Sequence, residues 1–191
     1  MVALVDYGLG NIQNLKNALK YLGYDVVLTK DPEVLAAASH VILPGVGHFK
    51  AAMDRLREEG LIPVLDELRR SKPFIGICLG MQLLFSHSEE GDVDGLSYLP
   101  GKVELIRSDL PVPHLGWNTL VTKDGSLEED VYFIHSYKVA TDENVVAWAD
   151  YGQRITAIVQ KGSLIGIQFH PEKSGYAGLA ILDKALKGGF L

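Results

Sequence analysis

The stretch Pro73-Phe74-Ile75-Gly76-Ile77-Cys78-Leu79-Gly80-Met81-Gln82-Leu83-Leu84-Phe85 constrains the fold more than any other. An apolar run ending at Ile77 reads as a buried strand, and Leu79 to Phe85 switches to helical spacing. Cys78 falls at the turn between them, with Gly76 two residues before it and Gly80 two residues after. That spacing suits a strained strand-to-helix turn that lifts a nucleophile out of a sheet. The glycines admit such a turn without Cβ clashes. A thiol placed there faces a helix N-terminus, whose unpaired N–H groups and dipole favour the reactive thiolate. A lone cysteine is more often a buried structural residue. The flanking glycines and the change of periodicity weigh towards the nucleophile.

Upstream, strands and helices alternate. Val2 to Val5 is a short apolar strand, and Ile12, Leu15, Leu19 and Leu22 then recur at helical spacing until Gly23. Asp25 to Thr29 reads as a second strand, Asp31-Pro32-Glu33 as a helix start, and His40 to Leu43 as a third strand. Phe49 to Leu56 and Leu61 to Arg70 read as two more helices, the second with a solvated charged face. The alternation predicts an α/β, three-layer fold with a mostly parallel central sheet and helices on both faces.

Two glycine-bearing loops interrupt this half. Gly8-Leu9-Gly10 follows a strand, but Gln13 stands where a dinucleotide-binding turn needs its third glycine or alanine, so a plain turn is the better account. It leaves Gly10, Asn11 and Asn14 at the sheet edge where ligands and partners meet such folds. Pro44-Gly45-Val46-Gly47 exposes backbone N–H groups that could bind an oxyanion, although an ordinary turn explains it equally well. His48 beside it reads as a surface residue.

After Phe85 the character changes. Ser86 to Gly95 is polar, acidic and loop-like. Short β-like runs follow at Val103 to Ile106, Trp117 to Val121, Val131 to Val139, Val145 to Ala149, Ile155 to Gln160 and Leu164 to Phe169. With no helices between them, they predict antiparallel additions to the one sheet in the C-terminal half. Ser136 and Tyr137 sit at the end of an apolar run, where they could hydrogen-bond a small ligand or simply satisfy each other's surroundings. The last run ends in His170-Pro171-Glu172. In extended backbone those two side chains point the same way, about 6–7 Å apart. A histidine with its own carboxylate is the base and orienter that activates a cysteine.

Composition narrows the function. With 18 basic and 24 acidic residues the net charge is −6, which argues against a nucleic-acid binder. One cysteine excludes an internal disulfide and fits a reducing compartment. No charged-then-apolar leader or long apolar span is read, so a cytoplasmic, non-membrane protein is expected. Cys78, His135 and His170 lack close ligand spacing, so no metal is expected. The 191 residues suggest a single domain spanning 1–191.

Together these motifs resemble the class I, triad-type glutamine amidotransferases over nearly the whole chain. The Gly-Ile-Cys-Leu-Gly-Met-Gln turn and the His-Pro-Glu ending carry the class. Pro44-Gly45-Val46-Gly47, Leu115-Gly116-Trp117-Asn118 and His170-Pro171-Glu172-Lys173-Ser174 point to the glutaminase subunits of histidine biosynthesis. The resemblance implies Cys78 as nucleophile, His170 as base and then acid, and Glu172 as its orienter. It implies an oxyanion hole from the backbone of Val46, Gly47 and Leu79, and glutamine held by Gly47, Gln82, Ser136 and Tyr137. Lys138 stands where many relatives carry an aromatic, which leaves the outer edge of that contact open. The resemblance further implies a (β/α)8 cyclase partner in a heterodimer and no cofactor; Gly10, Asn11, Asn14, Trp117, Asn118 and Lys173, at loops or strand ends that could share the catalytic edge, are expected to face it. On the residues alone, another cysteine hydrolase or a non-catalytic ligand-binding domain stays open.

Overall fold

The computed structural model describes residues 1–190. Hydrophobic runs of four residues form the first strands, β1 (Val2–Val5), β2 (Val26–Thr29) and β3 (His40–Leu43). Between them lie α1 (Ile12–Tyr21) and α2 (Pro32–Ala37). Helix α2 starts where the sequence places it: the Asp31 side chain accepts the Glu33 N–H at 2.9 Å, with Pro32 in the first turn. Helices α3 (Phe49–Glu58) and α4 (Ile62–Ser71) lead into β4 (Phe74–Ile77) and the one-turn helix α5 (Leu79–Gln82).

Helix α5 stops short of the expected Phe85. The carbonyls of Leu83, Leu84 and Phe85 accept N–H groups from Leu96, Ser97, Tyr98 and Leu99, so the chain exchanges a helical ladder for bonds to that later segment. The polar stretch after Phe85 also holds a small hairpin, β5 (His87–Ser88) and β6 (Val93–Asp94).

The C-terminal half departs from the expected single sheet. Its strands are β7 (Lys102–Leu105), β8 (His114–Thr119), β9 (Val121–Thr122), β10 (Asp130–His135), β11 (Tyr137–Ala140), β12 (Val145–Asp150), β13 (Arg154–Lys161) and β14 (Leu164–Ile167). The central sheet has eight strands in the order β2-β1-β3-β4-β14-β13-β12-β9. Five are parallel, because β14 inserts beside β4 in parallel, and β13, β12 and β9 extend the sheet in antiparallel fashion. The remaining strands form a four-stranded sheet, β11-β7-β5-β6, and a two-stranded ribbon, β10-β8. The run Val131 to Val139, expected as one strand, breaks at Ser136 into β10 and β11, which belong to different sheets.

Alternating strand residues feed two cores. Ala3 and Val5 pack with α2, α3 and α4, and with Val103 and Val139 of the four-stranded sheet. Val2 and Leu4 pack with α1, with Val131 and Phe133 of the ribbon, and with a final helix, α6 (Gly175–Leu186). This arrangement delivers the C-terminal ends of β3, β4 and β14 to one edge, the usual ligand edge of an open α/β sheet.

Candidate active site

At the end of β4 the backbone of Cys78 turns through φ 55° and ψ −115°, a left-handed conformation that costs a non-glycine residue free energy. Packing holds it there. The Cys78 N–H donates to the Ile167 carbonyl at 2.7 Å, tying the turn to β14. A Cβ on Gly76 would strike the Gly80 carbonyl, and one on Gly80 would strike the Leu43 carbonyl. Strand and helix thus touch through their backbones, which only glycine at both positions permits. The rest of the Cys78 residue is buried.

The loop after β3 lies beside this turn. The Tyr7 hydroxyl donates to the Pro44 carbonyl at 2.7 Å and pins its start. A Cβ on Gly45 would lie 2.9 Å from the Gly80 nitrogen, so the loop is seated directly on the cysteine turn. Gly47, at φ 102°, has nothing within 4 Å of where a Cβ would be. His48 is exposed at the start of α3.

His170 follows β14. The backbone beyond it is not extended as expected: Pro171–Lys173 forms a turn of 3-10 helix. The turn brings His170 Nδ1 to 2.8 Å from Glu172 Oε1, with both side chains at most 5% exposed. Burial pushes the imidazole pKa down, but hydrogen bonding and charge from Cys78 and Glu172 outweigh it and raise the value to about 10. His170 therefore holds a proton at neutral pH, beside the sulfur.

These pieces enclose a cavity of about 270 Å³, at the small end for a ligand site. Val46, Gly47, Cys78, Leu79, Gln82, Ser136, Tyr137, His170 and Lys173 all line it. Glu172 stands behind His170. Lys138 is not on the cavity wall; it lies opposite Glu104 across the β7–β11 pair. Among the residues expected to meet a partner, Trp117 is 58% exposed on the outer face of the ribbon. Asn118, its neighbour in the strand, turns to the opposite face and donates to the Asp150 carbonyl at 2.8 Å. Gly10 and Asn11 sit between β1 and α1 and Asn14 is exposed on α1, with Asn14 bordering a shallow cavity that also touches Glu172.

A family model for class I glutamine amidotransferases matches residues 3–187. The chain belongs to this family. It is 53% identical over 191 residues to the imidazole glycerol phosphate synthase subunit HisH of Staphylococcus aureus strain Mu50, covering 100% of this chain and 99% of that one. It is 55% identical over 190 residues to the HisH subunit of Staphylococcus saprophyticus, covering 100% and 96%. In fold it is similar to a crystal structure of glutamine amidotransferase (TM-score 0.78, 22% identity, 97% and 98% covered). It is also similar to PurLQS from Thermotoga maritima (TM-score 0.70, 21% identity, 97% of each chain covered).

Beyond the predicted residues, Glu90, Ile134 and His135 also line this amidotransferase's cavity, and Gln168 lies behind its wall. Glu90 is the only carboxylate on the cavity wall among the described residues, and its Oε2 accepts the Phe49 N–H at 2.7 Å. It comes from the acidic stretch after Phe85, where one carboxylate among several gave no local signal. Gln168, fully buried, accepts the Gln82 side-chain N–H at 2.9 Å and directs its own Nε2 towards Cys78 Sγ at 3.9 Å. An amide in the apolar run Leu164 to Phe169, just past β14, was the available clue, since a buried polar group needs partners.

Proposed function

We propose that this amidotransferase is the glutaminase subunit of an imidazole glycerol phosphate synthase, hydrolysing L-glutamine and passing ammonia to a (β/α)8 cyclase subunit in the cytoplasm. One observation carries the chemistry: Cys78, in strained backbone at the end of β4, lines a small cavity together with His170, whose Nδ1 lies 2.8 Å from Glu172 Oε1. Full-length likeness to HisH subunits supports the choice of pathway.

The steps follow from the geometry. Cys78 Sγ, its proton taken by His170, attacks the side-chain carbonyl carbon of glutamine, and the developing oxyanion is met by the N–H groups of Leu79 and of Val46 or Gly47. His170 gives its proton to the departing nitrogen, and ammonia leaves as the thioester forms. Neutral His170 then removes a proton from water, which attacks the thioester; collapse returns the thiol and releases glutamate. Glu172 stabilises the imidazolium and fixes its Nδ1–H, leaving Nε2 for the reacting atoms. Gln82, Ser136 and Tyr137 hold the substrate, and Glu90 faces its α-ammonium.

The partner reading rests on the edge where the cavity opens. Leu115 and Trp117, each 58% exposed, form an apolar outer face on the ribbon whose Ile134 lines the cavity. Lys173 on the cavity wall and Gly10, Asn11 and Asn14 complete the proposed docking edge. Gly47 has room to turn its peptide, so docking can set an oxyanion donor that the free chain holds elsewhere. Losing one such donor costs roughly 100-fold to 1,000-fold in rate. Incubating glutamine with the chain, alone and with a candidate cyclase subunit, while following glutamate tests both points. The expected result is slow release alone and a rise of about that size in kcat with the liganded partner. An isolated chain as fast as the complex removes the gating step, and no glutamate under either condition removes the glutaminase reading.

A further inference from the structure

The inner face of the ribbon carries a chain of hydrogen bonds that the steps above do not use. His135 Nδ1 lies 2.7 Å from the Tyr137 carbonyl, which can only accept, so the proton of His135 sits on Nδ1. Its Nε2 therefore accepts, and His114 Nδ1, at 3.1 Å, must be the donor. That leaves His114 Nε2 as an acceptor for Asn118 Nδ2 at 3.2 Å. The Asn118 amide is fixed the same way round, because its Oδ1 takes the Thr119 N–H at 2.8 Å. His114 is clamped between Phe133 and Tyr151, with ring centroids 4.5 Å and 4.0 Å away. Every donor in this run points towards Tyr137.

The same carbonyl also accepts Gln82 Nε2 at 2.9 Å, and the second proton of that nitrogen goes to Gln168 Oε1 at 2.9 Å. Both Gln82 donors are thereby spent inside the protein. Oε1 is the polar atom Gln82 has left for the cavity, so it presents an acceptor to the substrate and no donor. Gln168 Nε2 in turn reaches towards Cys78 Sγ. Displacing the Tyr137 carbonyl would free the Gln82 amide to turn over and present N–H groups, which suit a carboxylate product better than an amide substrate.

We propose that His114 and His135 are positioning residues of glutamine hydrolysis: through the Tyr137 carbonyl they lock the Gln82 amide with its oxygen towards the substrate. The proposal rests on the reading of this cavity as a glutamine site. It also gives the ribbon two faces with different tasks, Leu115 and Trp117 outward and the histidine run inward, so that a partner seated on one face bears on the other.

The test compares His135→Asn with His135→Leu, both assayed with the candidate cyclase subunit present. Asparagine keeps an N–H at the Nδ1 position for Tyr137; leucine fills the apolar site but donates nothing. Positioning predicts a rise in KM for glutamine of roughly tenfold in His135→Leu, the value of one of the two hydrogen bonds to the Tyr137 carbonyl lost, and a much smaller rise in His135→Asn. Simple packing predicts the reverse order, with leucine the better tolerated. His114→Phe keeps the stack and removes the donor to His135; it should raise KM while leaving the rate of Cys78 alkylation by iodoacetamide at the unmodified level. Should His135→Leu fail to fold by circular dichroism, His114→Phe decides the matter. An active unmodified protein with unchanged KM in His114→Phe, or with leucine tolerated better than asparagine, overturns the positioning role alone. An inactive unmodified protein overturns the glutaminase reading instead.

Discussion

Two regions of the molecule bury histidine and put it to opposite use. His170, at the sheet edge, is 4% exposed; His114 and His135, on the inner face of the ribbon, are 1% and 7% exposed. Burial alone pushes every imidazole towards the neutral form. His170 nevertheless rises to about 10, because Cys78 and Glu172 supply negative charge and hydrogen bonds. Desolvation takes His114 down to about 4, and His135 down to about 3 with help from the neighbouring imidazoles and in spite of its bond to the Tyr137 carbonyl. Depth of burial does not separate them. What separates them is whether the neighbour is an anion or a neutral dipole, and each neighbour is set by a short piece of local structure.

The largest effect should come from removing the sulfur beside His170. Cys78→Ala is expected to abolish glutamine hydrolysis while leaving the fold, and the partner's use of free ammonia, intact. The same substitution should lower the pKa of His170, read from its imidazole signals in an NMR titration, with His114 and His135 unmoved. Residual glutaminase activity in a clean preparation would remove Cys78 from the chemistry. An unmoved His170 would mean that Glu172 alone holds its proton.

The carboxylate is the next to test. His170→Ala deletes the acid and base together and should cost about 100-fold to 10,000-fold in kcat. Glu172→Gln keeps an acceptor for Nδ1 but removes the charge, so it should cost less than His170→Ala while still lowering the His170 pKa. Glu172 Oε2 is buried with no hydrogen-bond partner, so loss of charge at that atom leaves no broken bond behind. Equal rates for Glu172→Gln and the unmodified protein at saturating partner would show that orientation by Glu172 does not limit the reaction.

How much of this could be read from the chain follows the range of the interactions. The cysteine turn was legible because its causes are local: a change from strand to helical spacing and two glycines where backbones touch. The parallel half followed from the alternation of strands and helices. The β-rich half did not, since neighbouring runs gave no sign of which sheet they join; β14 leaves its hairpin partner's direction to lie parallel to β4, and Ser136 passes the chain between sheets. Residues 170 and 172 were legible as a pair, yet extended geometry was the wrong route to their contact. Pro171 starts a 3-10 turn, and the turn closes the distance. Helix α6 was left unread although Ile181, Leu182, Ala185 and Leu186 carry helical spacing. Glu90 and the His114–His135 run depend on tertiary placement, which no local pattern encodes.

The smallest effect concerns stability and isolates the ribbon. An unfolded histidine takes up its proton near pH 6.5. In the fold His114 and His135 resist protonation down to about 4 and about 3. Between these values the unfolded chain binds more protons than the native one, so stability rises with pH. The contribution is therefore full above about pH 6.5 and is lost as pH falls through the folded values. Physically, a proton added to His135 sets its Nε2–H against the His114 Nδ1–H across the 3.1 Å contact, and one added to His114 sets its Nε2–H against the Asn118 Nδ2–H at 3.2 Å. The expected slope is on the order of 1 kcal/mol per pH unit for each histidine. Carboxylates add their own titration lower down, so the window from pH 6.5 to 5 is the one to use. Urea midpoints across that window should fall steeply for the unmodified protein and about half as steeply for His114→Phe, which has one such group fewer. His170 does not add to this acid loss, since its folded pKa lies above its unfolded one and its contribution is complete below pH 6.5. Parallel midpoint curves for the two proteins would mean that the ribbon histidines are not the neutral pair their hydrogen bonds require.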